Sequence, residues 1–179
     1  MTCVTIAGEN AAQLCAGIAA ILSPLCQVAT ACDGQLLLQG DTPDVFLWHS
    51  KGDIFVEAPG SLLVFAEPAR RAERVEVPGD CVIIADLADE AAASYAVRRG
   101  LRLLDCGLSS KATLTFSSIG QDTEVVSLQR SITDAAGRRI EPLDIPLSVK
   151  RGPYYPMLAA VGILLLSGVS DRMLRPISR

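Results

Sequence analysis

The sequence has little of what metal-binding and nucleic-acid-binding proteins require. It contains one histidine, His49, and none of its six cysteines forms a CxxC pair, so the ligand spacing of a zinc site is missing. Lys and Arg are outnumbered by Asp and Glu, 16 to 20, and the net charge of −4 argues against a sequence-independent grip on nucleic-acid phosphates. We therefore expect no metal site and no nucleic-acid partner.

Long apolar segments are also missing. Residues 1–6 lack the basic stretch and apolar core of a signal peptide, and the most apolar run, 157–169, is shorter than the ~20 residues that cross a bilayer as a helix. We expect a cytoplasmic protein with no membrane contact. In that compartment Cys3, Cys15 and Cys81 are expected to pack as small hydrophobic side chains.

The composition is that of a folded chain. Half of the 179 residues are hydrophobic and 20% are charged, which is far from the composition of disordered proteins and near the usual size of one domain. We expect a single domain over 1–179. Its parts are a parallel α/β part at 1–107, a β meander at 108–150, and a closing helix with a tail at 151–179.

The first part alternates buried-strand and helix patterns. Strands are expected at 3–7, 27–31, 45–49, 62–66, 81–85 and 101–104, and helices from 11 to about 25 and at 89–99. Asn10 is the expected N-cap of the first helix. Strand–helix–strand order favours a parallel sheet with flanking helices, in which a ligand binds beyond the carboxyl ends of the strands.

The pattern changes after Gly107. Residues 112–118, 124–132 and 139–145 alternate apolar and polar side chains, with turn residues at 134–137, which predicts a small antiparallel meander. Pro153 and Pro156 precede a buried C-terminal helix, where proline is tolerated in the first turn. Gly168 is expected to end that helix.

The first strand and helix are joined by a loop with no phosphate-binding side chain. The chain reads Thr5-Ile6-Ala7-Gly8-Glu9-Asn10, with no lysine and no Ser or Thr after the glycine. A phosphate loop needs that lysine and a hydroxyl for magnesium. Such a strand–loop–helix can keep the fold of an ATPase without its chemistry.

The order of elements from Cys81 to Val169 resembles the central domain of the Mur ligases, ATP-dependent amino-acid ligases of peptidoglycan synthesis. In that family a strand ending in Asn-x-Asp-Asp precedes an alanine-rich helix, a further strand, a meander and a closing helix. Here the corresponding segments are 82–87, Asp105-Cys106-Gly107 and 158–169. The resemblance implies a Rossmann-like, P-loop-like α/β fold, a mainly parallel sheet with flanking helices followed by the meander and a C-terminal helix.

The chain departs from the family at each nucleotide-handling motif. The Gly-Thr-x-Gly-Lys-Thr loop is replaced by 7–12, which lacks the lysine, and of the three polar positions of Asn-x-Asp-Asp only Asp86 is kept, beside Ile84 and Leu87. The His-Asn-x-x-Asn pattern is replaced by Arg151-Gly152-Pro153-Tyr154-Tyr155-Pro156. The resemblance therefore implies a truncated, degenerate Mur-ligase-like domain that uses neither ATP nor magnesium, and we expect no cofactor.

Five residues are candidates for whatever binding is retained, and none is a candidate catalytic or metal-binding residue. They lie at strand ends or at the first helix: Gly8, Glu9, Asn10, Glu67 and Asp86. Two have structural alternatives, since Glu9 also complements a helix dipole and Asp86 can be a helix N-cap. A structural role is expected for His49.

The expected function is non-catalytic, by ligand binding or protein association, with a possible link to cell-wall precursors. The alternative is a nucleotide-binding subunit, or one component of a split ligase, with a remodelled site for a nucleoside-like molecule. Tyr154 and Tyr155, between two prolines, are expected to cover a core edge or to form a homodimer or partner interface.

Overall fold

The computed structural model describes residues 1–32, 35–38, 42–50, 52–66, 74–120, 124–147 and 153–168. Within these ranges the strands are β1 (Thr2–Ala7), β2 (Val28–Cys32), β3 (Gln35–Leu38), β4 (Val45–His49), β5 (Ile54–Phe55), β6 (Leu62–Phe65), β7 (Val75–Glu76), β8 (Val82–Asp86), β9 (Arg102–Cys106), β10 (Leu114–Ile119), β11 (Glu124–Leu128), β12 (Ile132–Thr133), β13 (Arg139–Ile140) and β14 (Leu143–Leu147). The helices are α1 (Ala11–Leu22), α2 (Glu90–Arg99) and α3 (Tyr154–Leu166).

One large sheet organises the molecule. Its ten strands lie in the order β14-β11-β10-β9-β8-β6-β1-β4-β2-β3. Seven neighbouring strands are parallel to one another: β10, β9, β8, β6, β1, β4 and β2. β3, β11 and β14 are antiparallel to their neighbours. The prediction of a mainly parallel α/β sheet is confirmed.

Helices α1 and α3 cover one face of this sheet. α1 turns Leu14, Cys15 and Ile18 inward at helical spacing, and these side chains pack on β1, β4 and β2. α3 is apolar on all sides, and every residue from Met157 to Leu166 is buried. α3 lies against α1, β8, β9 and β10 and thereby joins the first and last parts of the chain.

The second face is covered by α2 and by the short parallel pair β5–β7. α2 buries only Ala92 and Ala96, and the core on this face also contains Leu63, Phe65 and Ile83 from the middle of the sheet. Because β8 lies between two covered faces, its first four residues are buried, which explains its unbroken apolar sequence.

The caps of α2 correct one expectation. Asp89, and not Asp86, is the N-cap, because its carboxylate accepts hydrogen bonds from two first-turn amides at 3.0 and 3.1 Å. Asp86 instead accepts a bond from the Ala88 amide at 2.7 Å, in the turn before the helix. Gly100 ends the helix at φ 64°, and this agrees with the predicted helix at 89–99.

Asn10 occupies the N-cap position of α1, but its side chain makes no capping bond there. Its carbonyl oxygen accepts the first bond of the helix, from the Leu14 amide at 3.0 Å. The predicted position was therefore correct and the predicted side-chain contact was wrong.

The predicted meander exists, and it extends the main sheet. β10 pairs with β9 in parallel, and β11 and β14 then add as antiparallel strands, so no separate sheet forms from these three. The hairpin β12–β13 is inserted between β11 and β14 as a two-stranded sheet of its own. The sequence patterns did not reveal β3, β5 or β7.

No helix within the described ranges is long and apolar enough to cross a bilayer. α3, the most apolar of the three, is 13 residues long.

Candidate functional site

The carboxyl ends of β1, β6, β8 and β9 lie side by side at one edge of the sheet. Gly8 follows β1, Ala66 follows β6, Asp86 ends β8 and Gly107 follows β9. Parallel α/β folds bind ligands above this edge. The edge therefore brings together the strand ends that the sequence singled out, with Glu67 lying outside the described residues.

The loop after β1 is short and closed. Only Gly8, Glu9 and Asn10 separate Ala7 from the first residue of α1. Gly8 has φ 128°, and a Cβ atom there would lie 2.5 Å from the carbonyl oxygen of Ala66. The loop thus packs directly onto the end of β6, and only glycine fits at this contact.

This loop lacks the side chains of a phosphate loop. The phosphate-loop pattern, Gly-x-x-x-x-Gly-Lys-Ser/Thr, ends in a lysine and a hydroxyl at the start of the following helix. Here three residues join β1 to α1, α1 begins with Ala11 and Ala12, and Glu9 and Asn10 are exposed. The first-turn amides of α1 have no carbonyl partner within the helix, as at every helix start.

A cleft of about 340 Å³ opens beside the first two turns of α1. Its walls come from α1, from the end of β6 and from the start of α3, and its lining residues are Asn10, Gln13, Leu14, Gly17, Ala66, Pro153, Tyr155 and Pro156. None of the lining residues in the described part of the chain carries a charge. Its volume is in the range of small-molecule sites.

Glycine at position 17 keeps this cleft open. A Cβ atom at Gly17 would lie 3.3 Å from Cβ of Pro156, where α1 and α3 approach each other. A larger side chain would therefore enter the cleft or push the two helices apart.

Tyr155 forms the wall of the cleft above the middle of the sheet. Its hydroxyl donates to the carbonyl oxygen of Phe65 at 2.6 Å and also lies 3.3 Å from that of Ile84. These carbonyls belong to β6 and β8, which are adjacent strands. The half-buried tyrosine thus bridges the carboxyl ends of two strands.

Asp86 does not line the cleft, although β8 directs it to the same face. Side chains alternate along a strand, and Ile84, two residues earlier, packs in the core beneath α1 and α3. The carboxylate of Asp86 is bonded to the Ala88 amide. Of the five sequence candidates, the structure therefore places Asn10 in the cleft, Gly8 and Glu9 in its adjoining loop, and Asp86 apart from it.

No group of three His, Cys, Asp or Glu side chains capable of holding a metal ion occurs among the residues with described positions. His49 is 6% exposed at the end of β4 and does not line the cleft. Burial raises the pKa of Cys15 and Cys81 to about 11, with smaller effects from neighbouring groups, so both thiols are protonated at neutral pH.

Sequence reasoning missed Gln13, Gly17 and Tyr155 as lining residues. Gln13 and Gly17 lie on α1, and their spacing of four residues places them on one helix face. Tyr155 was recognised only as an aromatic residue between prolines. Nothing in the sequence relates Tyr155 to β6 or β8. It lies 90 residues after Phe65 and 71 residues after Ile84.

Comparison with solved structures identifies the fold. The UDP-N-acetylmuramoylalanyl-D-glutamyl-2,6-diaminopimelate--D-alanyl-D-alanyl ligase of Acinetobacter baumannii matches with a TM-score of 0.57 over 100% of this chain and 46% of its own, at 11% identity. The chain has a Mur-ligase-like fold. E. coli FolC, in complex with DHPP and ADP, matches with a TM-score of 0.56 over 97% of this chain and 55% of its own, at 12% identity.

A bifunctional folylpolyglutamate synthase/dihydrofolate synthase of Yersinia pestis gives a TM-score of 0.55 at 13% identity, over 97% of this chain and 57% of its own. The Mur-ligase-like chain thus spans about half the length of the solved proteins it matches. No protein-family model and no curated protein sequence matches it. At these low identities the structural matches show the fold alone. The resemblance to the Mur ligases that was inferred from the sequence is confirmed for the fold.

Proposed function

We propose that this Mur-ligase-like chain is non-catalytic and acts through ligand binding or protein association in the cytoplasm. The observation that carries this proposal is the loop after β1. It is three residues long, contains no lysine, and packs on Ala66 where a phosphate loop would surround an anion.

Charge at the loop supports the same conclusion. Glu9 is exposed next to the start of α1, and the lining residues with described positions contribute no cation to offset the charge of a polyphosphate. Electrostatic stabilisation of the transferring phosphoryl group is the main catalytic contribution in ATP-dependent enzymes. A site with a carboxylate and no lysine does not supply it.

The proposed role includes association with a second copy or another protein, linked to cell-wall precursor metabolism. Tyr154 is 42% exposed and packs edge-on against Phe116, with ring centroids 5.5 Å apart. Leu108, which follows β9, is 60% exposed. Exposed aromatic and aliphatic side chains of this kind are typical of contact surfaces. The cell-wall link rests on the ligase activity named for one structural neighbour.

The test is magnesium-dependent ATP turnover by the purified full chain, with calorimetry against ATP, ADP and UDP-linked muramyl precursors. We expect no turnover above buffer. The matched variants are Asp86→Ala, at the strand end, and Ser94→Ala, exposed on α2. Turnover that falls in Asp86→Ala and persists in Ser94→Ala would contradict a non-catalytic function.

A second candidate function is a nucleotide-binding subunit or one component of a split ligase. It is favoured by the cleft, whose volume suits a nucleoside-sized molecule, and by neighbours solved with ADP or AMPPNP. Heat on titration with ADP or adenosine, without turnover and abolished by Gly17→Val, would support it. The split-ligase form further requires ATP-dependent ligation when a second purified chain is added.

A further inference from the structure

We propose that Tyr155 determines which ligands the carboxyl edge of the sheet accepts, by separating the cleft from Asp86 and leaving it suited to an uncharged, ring-containing small molecule. This inference rests on the proposed binding role of the same cleft. It adds a specificity-determining residue and the chemical class of the ligand.

The position of Tyr155 carries the first step. β6 lies between β1 and β8, the cleft lies between the start of α1 and the end of β6, and Asp86 ends β8 on the same face. The Tyr155 hydroxyl reaches carbonyls on both β6 and β8, at 2.6 and 3.3 Å. Its ring therefore stands on the boundary between the two regions.

The hydrogen bond to the Phe65 carbonyl holds the hydroxyl end of the ring in that place. A buried carbonyl at a strand end needs a donor, and the tyrosine supplies one that a ligand would otherwise provide. Removing the side chain would open space between the cleft and the end of β8, since the hydroxyl lies 3.3 Å from the Ile84 carbonyl. Tyr155 thus occupies part of the space in which open α/β sheets hold ligands.

The chemistry of the lining gives the ligand class. Apart from the carboxamides of Asn10 and Gln13, the lining offers aliphatic carbons, proline rings and the face or edge of Tyr155. These groups favour the burial of a ring, and a charged group would lose hydration without gaining a partner. The carboxylate of Asp86 is kept away on the far side of the tyrosine.

The first experiment uses the wild-type chain, ¹⁵N-labelled, with two probes that share a ring. p-Cresol is uncharged, and 4-methylphenyl phosphate adds only the charge. We expect p-cresol to shift the amides of Leu14 and Gly17 and to bind at least tenfold more tightly than the phosphate, while the amide of Ala88 does not move. Any of three results would overturn the proposal. The phosphate could bind as tightly as p-cresol or more tightly, p-cresol could fail to bind in the cleft, or the Ala88 amide signal could shift together with that of Leu14.

The second experiment removes the wall. In Tyr155→Ala, p-cresol is expected to fill the vacated space, raise the melting temperature, and shift the Ala88 amide together with that of Leu14. Tyr155→Phe keeps the ring and should still leave the Ala88 amide unmoved by p-cresol, although the lost hydroxyl hydrogen bond lowers stability. Tyr154→Ala is the matched control at the neighbouring tyrosine. If the alanine variant does not fold, Tyr155→Leu takes its place, with coupled movement of Leu14 and Ala88 again expected.

Absence of coupled movement in a folded ring-deleted variant would overturn the role of Tyr155. That result is distinguishable from failure of the proposed function, because the latter is decided by magnesium-dependent ATP turnover. A chain that hydrolyses ATP would be an enzyme whatever the p-cresol titrations give. A chain without turnover whose Ala88 amide responds to p-cresol in the wild type would keep its non-catalytic role and lose only this inference.

Discussion

Gly8 is the residue on which the geometry of the carboxyl edge depends most directly. Its φ of 128° belongs to a region that side chains other than glycine rarely adopt, and its α-carbon lies against the carbonyl of Ala66. The Ala66 amide in turn donates to the carbonyl of Ala7 at 2.7 Å. The first loop and the end of β6 are therefore held together by backbone contacts alone.

Gly8→Ala is expected to lower the free energy of unfolding by about 2–4 kcal/mol, because it combines backbone strain with a backbone clash. Urea unfolding measures the change. Gly79→Ala is the matched control, since a Cβ atom at Gly79 meets nothing within 4 Å and the change there should stay within about 0.5 kcal/mol. Equal effects of the two substitutions would show that the contact with Ala66 does not constrain the loop.

At the scale of elements, the turn between β12 and β13 fastens the end of α3. Asp134 is 1% exposed, accepts from the amides of Ala136 and Arg138, and pairs with the Arg138 side chain at 2.8 Å. Arg138 also donates to the carbonyl of Gly168, and the Ala135 amide donates to that of Leu166. The turn thus satisfies carbonyls that the helix end leaves without partners.

The charge of Asp134 makes this contact sensitive to acid. Burial alone would raise the pKa of its carboxyl, but the hydrogen bonds from Arg138 and Ala136 and the charge of Arg138 outweigh burial, so the pKa is lowered. A lowered pKa in the folded state stabilises the fold above the unfolded value of ~3.9, and this contribution is lost as the pH falls through the folded value.

Asp134→Asn is expected to cost about 2 kcal/mol of unfolding free energy at pH 7, and the difference from wild type should shrink below about pH 4. Urea unfolding from pH 7 to pH 3 tests this. Asp144→Asn, at an exposed position of β14, provides the control and should change little at any pH. A constant difference between Asp134→Asn and wild type across that range would argue that the charge is not responsible.

At the scale of the whole molecule, one sheet and one helix unite the parallel part with the meander. β10 continues the parallel strands and begins the antiparallel ones, and α3 contacts strands of both parts as well as α1. The core beneath α1 and α3 extends from β2 to β14 without a division. The single domain over 1–179 stays a prediction, which an unfolding experiment can test.

A single domain should unfold in one transition. Trp48, the only tryptophan, lies in β4, so its fluorescence reports the parallel part, while far-UV circular dichroism reports the whole chain. We expect the same urea midpoint from both. Gly162→Leu places side-chain atoms against Leu104 beneath α3. We expect it to lower the free energy of unfolding by about 1–3 kcal/mol and to shift both midpoints together. Two separate midpoints would indicate two units.

The sequence by itself determined the type and order of the main elements and the absence of a lysine in the loop after β1. Unbroken apolar runs located β1 and β8, helical spacing located α2, and the missing lysine after Gly8 is a property of the sequence alone. These features are local, because burial pattern, turn residues and side-chain charge are set within a few neighbouring positions. The short pairs β5 and β7 were not found, since two residues carry no periodic pattern.

Only the tertiary structure decided what the carboxyl edge contains. Asp86, chosen for its place after a strand, lies outside the cleft, whereas Tyr155 reaches across from α3 to form the cleft's wall. Packing of α3 on the sheet brings together residues 71 to 90 positions apart. No local pattern encodes such a contact, because it depends on how the whole apolar surface of α3 is buried between the sheet and α1.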